Sequence, residues 1–205
     1  MFLSTILFGG LGILLFLLLA FLLPILSRNN EYALIHVFLI FIFASWLPVV
    51  FSCAFFLGDW AAKIGSLFGT VALIIFIVAM ALQTGHIAYV NQHEEENEDL
   101  WASRDDWMMQ MLSDPIELFA GIFFWLSALF VGVSLLNAHH SAFAAAVFVL
   151  SLQLPYCGVL LFRTCLNHPP KLLQRIKPNS VVLNLGLFLY LFVVLLFMLM
   201  NPLVR

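Results

Sequence analysis

Histidine and cysteine carry the most versatile chemistry in an apolar setting, and this chain has six of the first and three of the second. His36 lies just inside one apolar stretch and His86 near the end of the next. Two neutral imidazoles on neighbouring helices meet the axial-ligand requirement of a b-type haem, so His36 and His86 form a candidate cofactor pair. The competing expectation is local: each ring caps a helix end or bonds a nearby carbonyl, and the chain needs no cofactor. His86, Tyr89 and His93 recur at i, i+3 and i+7, one helix face that leads towards Glu96. No His-Glu-x-x-His accompanies them, so a metal site is not expected. Cys53, Cys157 and Cys165 lack C-x-x-C spacing and read as structural thiols. The sequence has no G-x-S-x-G, phosphate-cradling glycine loop or N-glycosylation triplet, and no enzyme class follows from it.

A second constellation is built on proline. Leu47-Pro48 and Leu154-Pro155 each lie within an apolar stretch and each precede a cysteine. A proline inside a helix removes one backbone bond and exposes carbonyls, and paired interruptions of this kind mark solute sites in transporters. Ser45, Pro48, Gln153 and Pro155 are accordingly the candidate substrate residues, with Ser52 and Ser151 as further polar atoms.

The elements that must position these residues are six apolar stretches, at about 2–26, 32–57, 64–88, 115–136, 141–163 and 180–201. Each approaches or exceeds the roughly 20 residues that a helix needs to cross a bilayer. Charged residues make up only 9% of the chain, against about a quarter in soluble domains, and they cluster in the connections and at the stretch ends. The expected fold class is therefore an all-α integral membrane protein, a bundle of six transmembrane helices. Three stretches precede a long connection and three follow it, giving expected halves at 1–90 and 115–205, with the parity of an inverted repeat. The first stretch exceeds the apolar core of a signal peptide and is expected to be retained. Asp114, Pro115 and Glu117 read as N-cap, N1 and N3 of the fourth helix, a capping box.

The connection at 91–114 has helical periodicity of its own. Leu100, Trp101, Trp107, Met108, Met111 and Leu112 share one face, which predicts an interfacial amphipathic helix between the third and fourth spans. Glu94, Glu95 and Glu96 precede it and would repel an anionic leaflet, so apolar burial or a basic partner must hold it down. The connection at 164–179 is opposite in character. Lys171, Arg175 and Lys177 stand among prolines there and are available to a lipid headgroup or a protein partner.

Small residues supply helix-contact faces: Gly9 and Gly12 in the first span, and Gly65 with Gly69 as G-x-x-x-G in the third. With no carboxylate or amine deep in a span, an ion-coupled pump is disfavoured, and the small net charge of −3 with no basic stripe gives no reason to expect nucleic acid. The leading expectation is a non-catalytic structural or scaffolding subunit of a larger membrane complex, with membrane lipids and other membrane subunits as partners. The alternatives are a small transporter or flippase for an apolar or neutral solute, and a haem-binding redox subunit.

Lys and Arg set the orientation. Arg28, Arg104, Arg163, Lys171, Arg175 and Lys177 fall on one side, Lys63 and Arg205 on the other. The positive-inside rule places 164–179 inside and both termini outside, in a bacterial inner membrane or its organellar equivalent. An epitope inserted after Lys171 should be shielded in intact cells and one after Asn137 exposed. The reverse pattern would overturn this orientation.

Overall fold

The structure is a computed structural model that describes residues 2–93, 107–108, 111 and 113–201. It is helical throughout, with no strand among the described residues. The elements are α1 (Phe2–Arg28), α2 (Tyr32–Leu57), α3 (Trp60–His93), α4 (Asp114–Asn137), α5 (Ser141–Ser151), α6 (Gln153–Cys165), α7 (Lys171–Gln174) and α8 (Ser180–Met200). With α5 and α6 taken as one span, six helices among the described residues are long and apolar enough to cross a membrane, and the chain is compatible with a multi-pass membrane protein.

Two boundaries depart from the sequence reading. The third helix begins at Trp60 and runs on to His93, so the face of His86, Tyr89 and His93 continues beyond the apolar stretch. The fifth stretch is interrupted at Leu152, between α5 and α6. Pro155 has no N–H to offer the Ser151 carbonyl and its ring crowds that carbonyl, which is the physical reason for a break one turn upstream. Pro48, by contrast, sits within an unbroken α2. The two Leu-Pro sites are therefore not equivalent. Most of the expected interfacial helix, with Glu94, Glu95, Glu96 and Trp101, lies outside the described residues; Trp107 is helical and exposed.

Packing follows the small residues. In α1 only Thr5, Gly9, Gly12, Leu19 and Leu26 are buried, a single stripe that lies on α2 and α8. A Cβ on Gly12 would stand 2.2 Å from Trp46 Nε1, and one on Gly9 would stand 2.8 Å from Leu195. Gly65 and Gly69 admit α4 and α2: their Cβ positions lie 3.1 Å from the Ser127 carbonyl and 2.5 Å from Val50. All four glycines thus close contacts within the chain. Polar pins accompany them. Thr5 and Ser52 share a 2.7 Å hydrogen bond between α1 and α2. Ser66 donates to the Val50 carbonyl at 2.8 Å and accepts from the Ala54 amide at 3.0 Å, bridging two groups of the α2 backbone ladder. Gly58, at φ +74°, ends α2 in the left-handed conformation that glycine adopts without strain. Asp59 then caps α3 by accepting from the Ala62 amide at 2.8 Å, and also accepts from Ser134 of α4 at 2.7 Å.

The core lies where α2, α3, α4 and α8 meet, around Trp46, Leu73, Phe124, Trp125, Tyr190 and Met198. The Phe124 and Tyr190 rings meet edge to face at 5.1 Å, bridging α4 and α8. A Gly12→Ala variant should lose about 1–3 kcal/mol of stability by overpacking Trp46. Gly10→Ala, where a Cβ meets nothing within 4 Å, should lose none. Thermal unfolding of the two variants in detergent measures the difference.

Candidate functional site

Below the Trp125–Tyr190 layer, towards the end of the bundle that carries Arg163 and the 164–179 connection, α4, α6 and α8 enclose a cavity of about 250 Å³. Its floor is apolar, made by Phe76, Leu118, Trp125, Leu160 and Leu187. Its polar lining comes from Ser113 and Glu117 at the start of α4, Arg163 and Thr164 at the end of α6, and Asn184 in α8. Gly121 and Cys157 lie between the two zones, where a Cβ on Gly121 would stand 3.2 Å from the Cys157 sulfur.

Each charged side chain is held from behind. Glu117 accepts a 2.8 Å hydrogen bond from Gln83 of α3, an amide that is only 1% exposed. The fourth helix starts one residue earlier than the sequence predicts, with Ser113 as N-cap and no capping bond from the Ser113 side chain. On the opposite wall, Arg163 occupies the last turn of α6, where the helix dipole favours a cation. It donates to the Ile176 carbonyl. Tyr156 donates to the Lys177 carbonyl at 2.8 Å and accepts from the Asn179 amide at 3.0 Å. Asn179 in turn caps α8 by accepting from the Val182 amide at 3.1 Å. These bonds fasten residues 176–179 across the end of α6, and so place Pro178 in the cavity wall.

A carboxylate and a guanidinium stand at the rim of an apolar chamber, and the one thiol in the lining, Cys157, is buried with no histidine among the lining residues to act as a base. No cluster of three metal-ligating side chains occurs among the described residues. No family model, curated protein or solved structure matches the chain.

The described haem and substrate candidates from the sequence lie outside the cavity lining. His36 Nδ1 is 2.7 Å from the Tyr32 carbonyl of its own helix, so that nitrogen carries the proton; neither His36 nor His86 lines the cavity. Ser45 donates to the Phe41 carbonyl at 2.7 Å, again within its own helix. Gln153 lies against Gly186 of α8, where a Cβ would stand 1.7 Å from its Nε2, and makes a long 3.4 Å bond to the Val182 carbonyl. Pro48 and Pro155 lie outside the cavity lining. Lys171, Arg175 and Lys177 are exposed around α7.

Sequence reasoning missed Gln83, Glu117, Arg163 and Asn184 as one group. Glu117 was explained by the helix start and Arg163 by the basic connection, which left neither looking for a partner. The available signal was Gln83, an amide inside an otherwise apolar third span that only a polar neighbour would justify. Gln83→Leu should cost about 1–3 kcal/mol, because Glu117 would lose a donor in a partly buried place. Chemical denaturation in detergent tests this, and undiminished stability would show that the bond contributes nothing.

Proposed function

We propose that this chain is a multi-pass membrane protein without catalysis of its own, which binds an amphipathic solute in the α4–α6–α8 cavity and carries it to or from one membrane face. The observation that carries this reading is the cavity itself: opposite charges at the rim and an apolar floor suit a molecule with a polar head and an apolar body. This is the transporter or flippase alternative with its site moved and its solute changed from an apolar or neutral one to an amphipathic one. The Leu-Pro sites offer less, since Ser45 is engaged by its own helix and Pro48 leaves α2 continuous. Under the positive-inside rule the mouth faces inward, because Arg163, Lys171, Arg175 and Lys177 all lie at that end.

The scaffolding reading loses part of its support, because Gly9, Gly12, Gly65 and Gly69, the glycines expected to face a partner, make contacts inside the chain. A haem between His36 and His86 gains no support either, since His36 Nδ1 makes the local carbonyl bond expected of a structural imidazole.

Thr164→Trp and Leu187→Trp should fill the cavity. The wild-type protein, purified in mild detergent, should retain about one bound amphiphile per chain by native mass spectrometry, and both variants should lose it while remaining folded. Wild type without bound amphiphile, together with unchanged movement of a labelled lipid in vesicles containing the variants, would end the reading.

A further inference from the structure

After Glu117 the chain carries five cations and no further carboxylate. Three of the five, Lys171, Arg175 and Lys177, stand close together in the connection between α6 and α8. All three are exposed, and none forms an ion pair among the described residues. Lys171 opens α7, and Arg175 follows its last residue with the backbone still helical, so the two stand at i and i+4 on one side of a single turn. Like charges at that spacing oppose the turn that carries them. An anion between them reverses the sign of that interaction.

Side chains from the bundle hold the segment in this shape. Arg163 and Tyr156 donate to the carbonyls of Ile176 and Lys177, and Tyr156 accepts from the Asn179 amide. Gln174 donates to the Pro169 carbonyl at 2.7 Å and the Leu173 amide to the Pro170 carbonyl at 2.9 Å, which closes the turn from within. Ile176 packs inward on the core. Keeping positive charge on one side of a membrane needs only the charges. It does not need hydrogen bonds that fix the backbone beneath them. A recognition surface does, because order present before binding is not lost on binding.

Leu172 distinguishes a lipid leaflet from an acidic protein segment as the occupant. It is 73% exposed beside Lys171, at the level where α6 ends and α8 begins. An apolar side chain among lysine and arginine suits the boundary between acyl chains and headgroups, with the leucine in the first and the cations in the second. We propose that residues 171–177 form a docking surface for anionic phospholipid, with headgroup phosphates on Lys171, Arg175 and Lys177 and Leu172 among the acyl chains. The surface lies outside the cavity lining and does not depend on what the cavity binds.

The test titrates the purified wild-type protein in neutral detergent with dioleoyl phosphatidylglycerol, dioleoyl phosphatidylcholine or inorganic phosphate, and reads binding by native mass spectrometry and thermal shift. Phosphatidylglycerol should bind about tenfold or more tightly than phosphatidylcholine, and inorganic phosphate should not displace it. One cation near an anionic leaflet is worth about a fivefold change in binding, so Lys171→Gln and Arg175→Gln should each lower the preference by that factor. Combined with Lys177→Gln they should abolish it; the single variants carry the test if the triple variant does not insert. Tyr156→Phe keeps every charge and removes both hydrogen bonds at 177 and 179. It should weaken phosphatidylglycerol about threefold or more.

Equal binding of the two lipids to wild type would overturn the proposal, as would a preference that survives the charge removals undiminished. Displacement by inorganic phosphate would make the surface a site for a free anion, and full binding by Tyr156→Phe would reduce it to diffuse charge; either removes the proposal. A preference that appears only after Glu94, Glu95 and Glu96 are changed to glutamine would assign the surface to that acidic connection instead. In every case, amphiphile retention that Thr164→Trp and Leu187→Trp abolish would leave the cavity reading standing.

Discussion

The close approach of α3 to α4 governs everything else in the bundle. Gly65 and Gly69 let α3 come within backbone contact of Ser127, and lipid supplies no hydrophobic drive that could substitute for such a fit. Once that contact is set, the antiparallel pair is in register along its whole length. Asp59 meets Ser134 at one end and Gln83 meets Glu117 at the other. These polar pairs do not bring the helices together. They specify which of several close-packed registers is adopted, since a shift of one turn would bury an amide and a carboxylate without partners.

Bulk replaces closeness on the α8 side. Tyr190, Phe124 and Trp125 fill the space between α8 and α4 halfway along the bundle with edge-to-face rings. Towards the Arg163 end the residues of α8 are Leu183, Asn184 and Leu187, none of which reaches as far as tyrosine, and the space stays open. The cavity is thus a by-product of side-chain length along one helix. Its polarity comes from position: helix ends are where charged side chains are tolerated, and α4 begins and α6 ends at the same level.

Much of the fold was legible because an apolar helix must satisfy its own backbone, and stretch length then translates directly into an element. The bounds of α2, Tyr32–Leu57, coincide with the sequence reading. The end of α3 was not, because residues 89–93 are polar enough to leave an apolar stretch while remaining helical. The break at Leu152 was half visible: Pro155 marked it, yet Pro48 carried the same mark without a break. The site was least legible. Its members come from four helices separated by up to about a hundred residues, and Glu117 and Arg163 each have a sufficient local explanation, so the pattern gives no reason to connect them. Histidines and prolines drew attention by their chemistry, while the amide at Gln83 carried the structural information.

The interruption at Leu152 gives the fifth span a joint. Pro155 has already removed the hydrogen bond that would otherwise stiffen the passage from α5 to α6. The thirteen residues that bear Cys157, Leu160 and Arg163 are accordingly less stiffly joined to the eleven that pack Ala144 and Val147 into the bundle. Any adjustment of α6 at this point would shift one wall of the chamber together with residues 176–179, which are bonded to α6 through Arg163 and Tyr156. Trp125, which lines the chamber beside Cys157 and Leu160, ties the aromatic layer to the same wall.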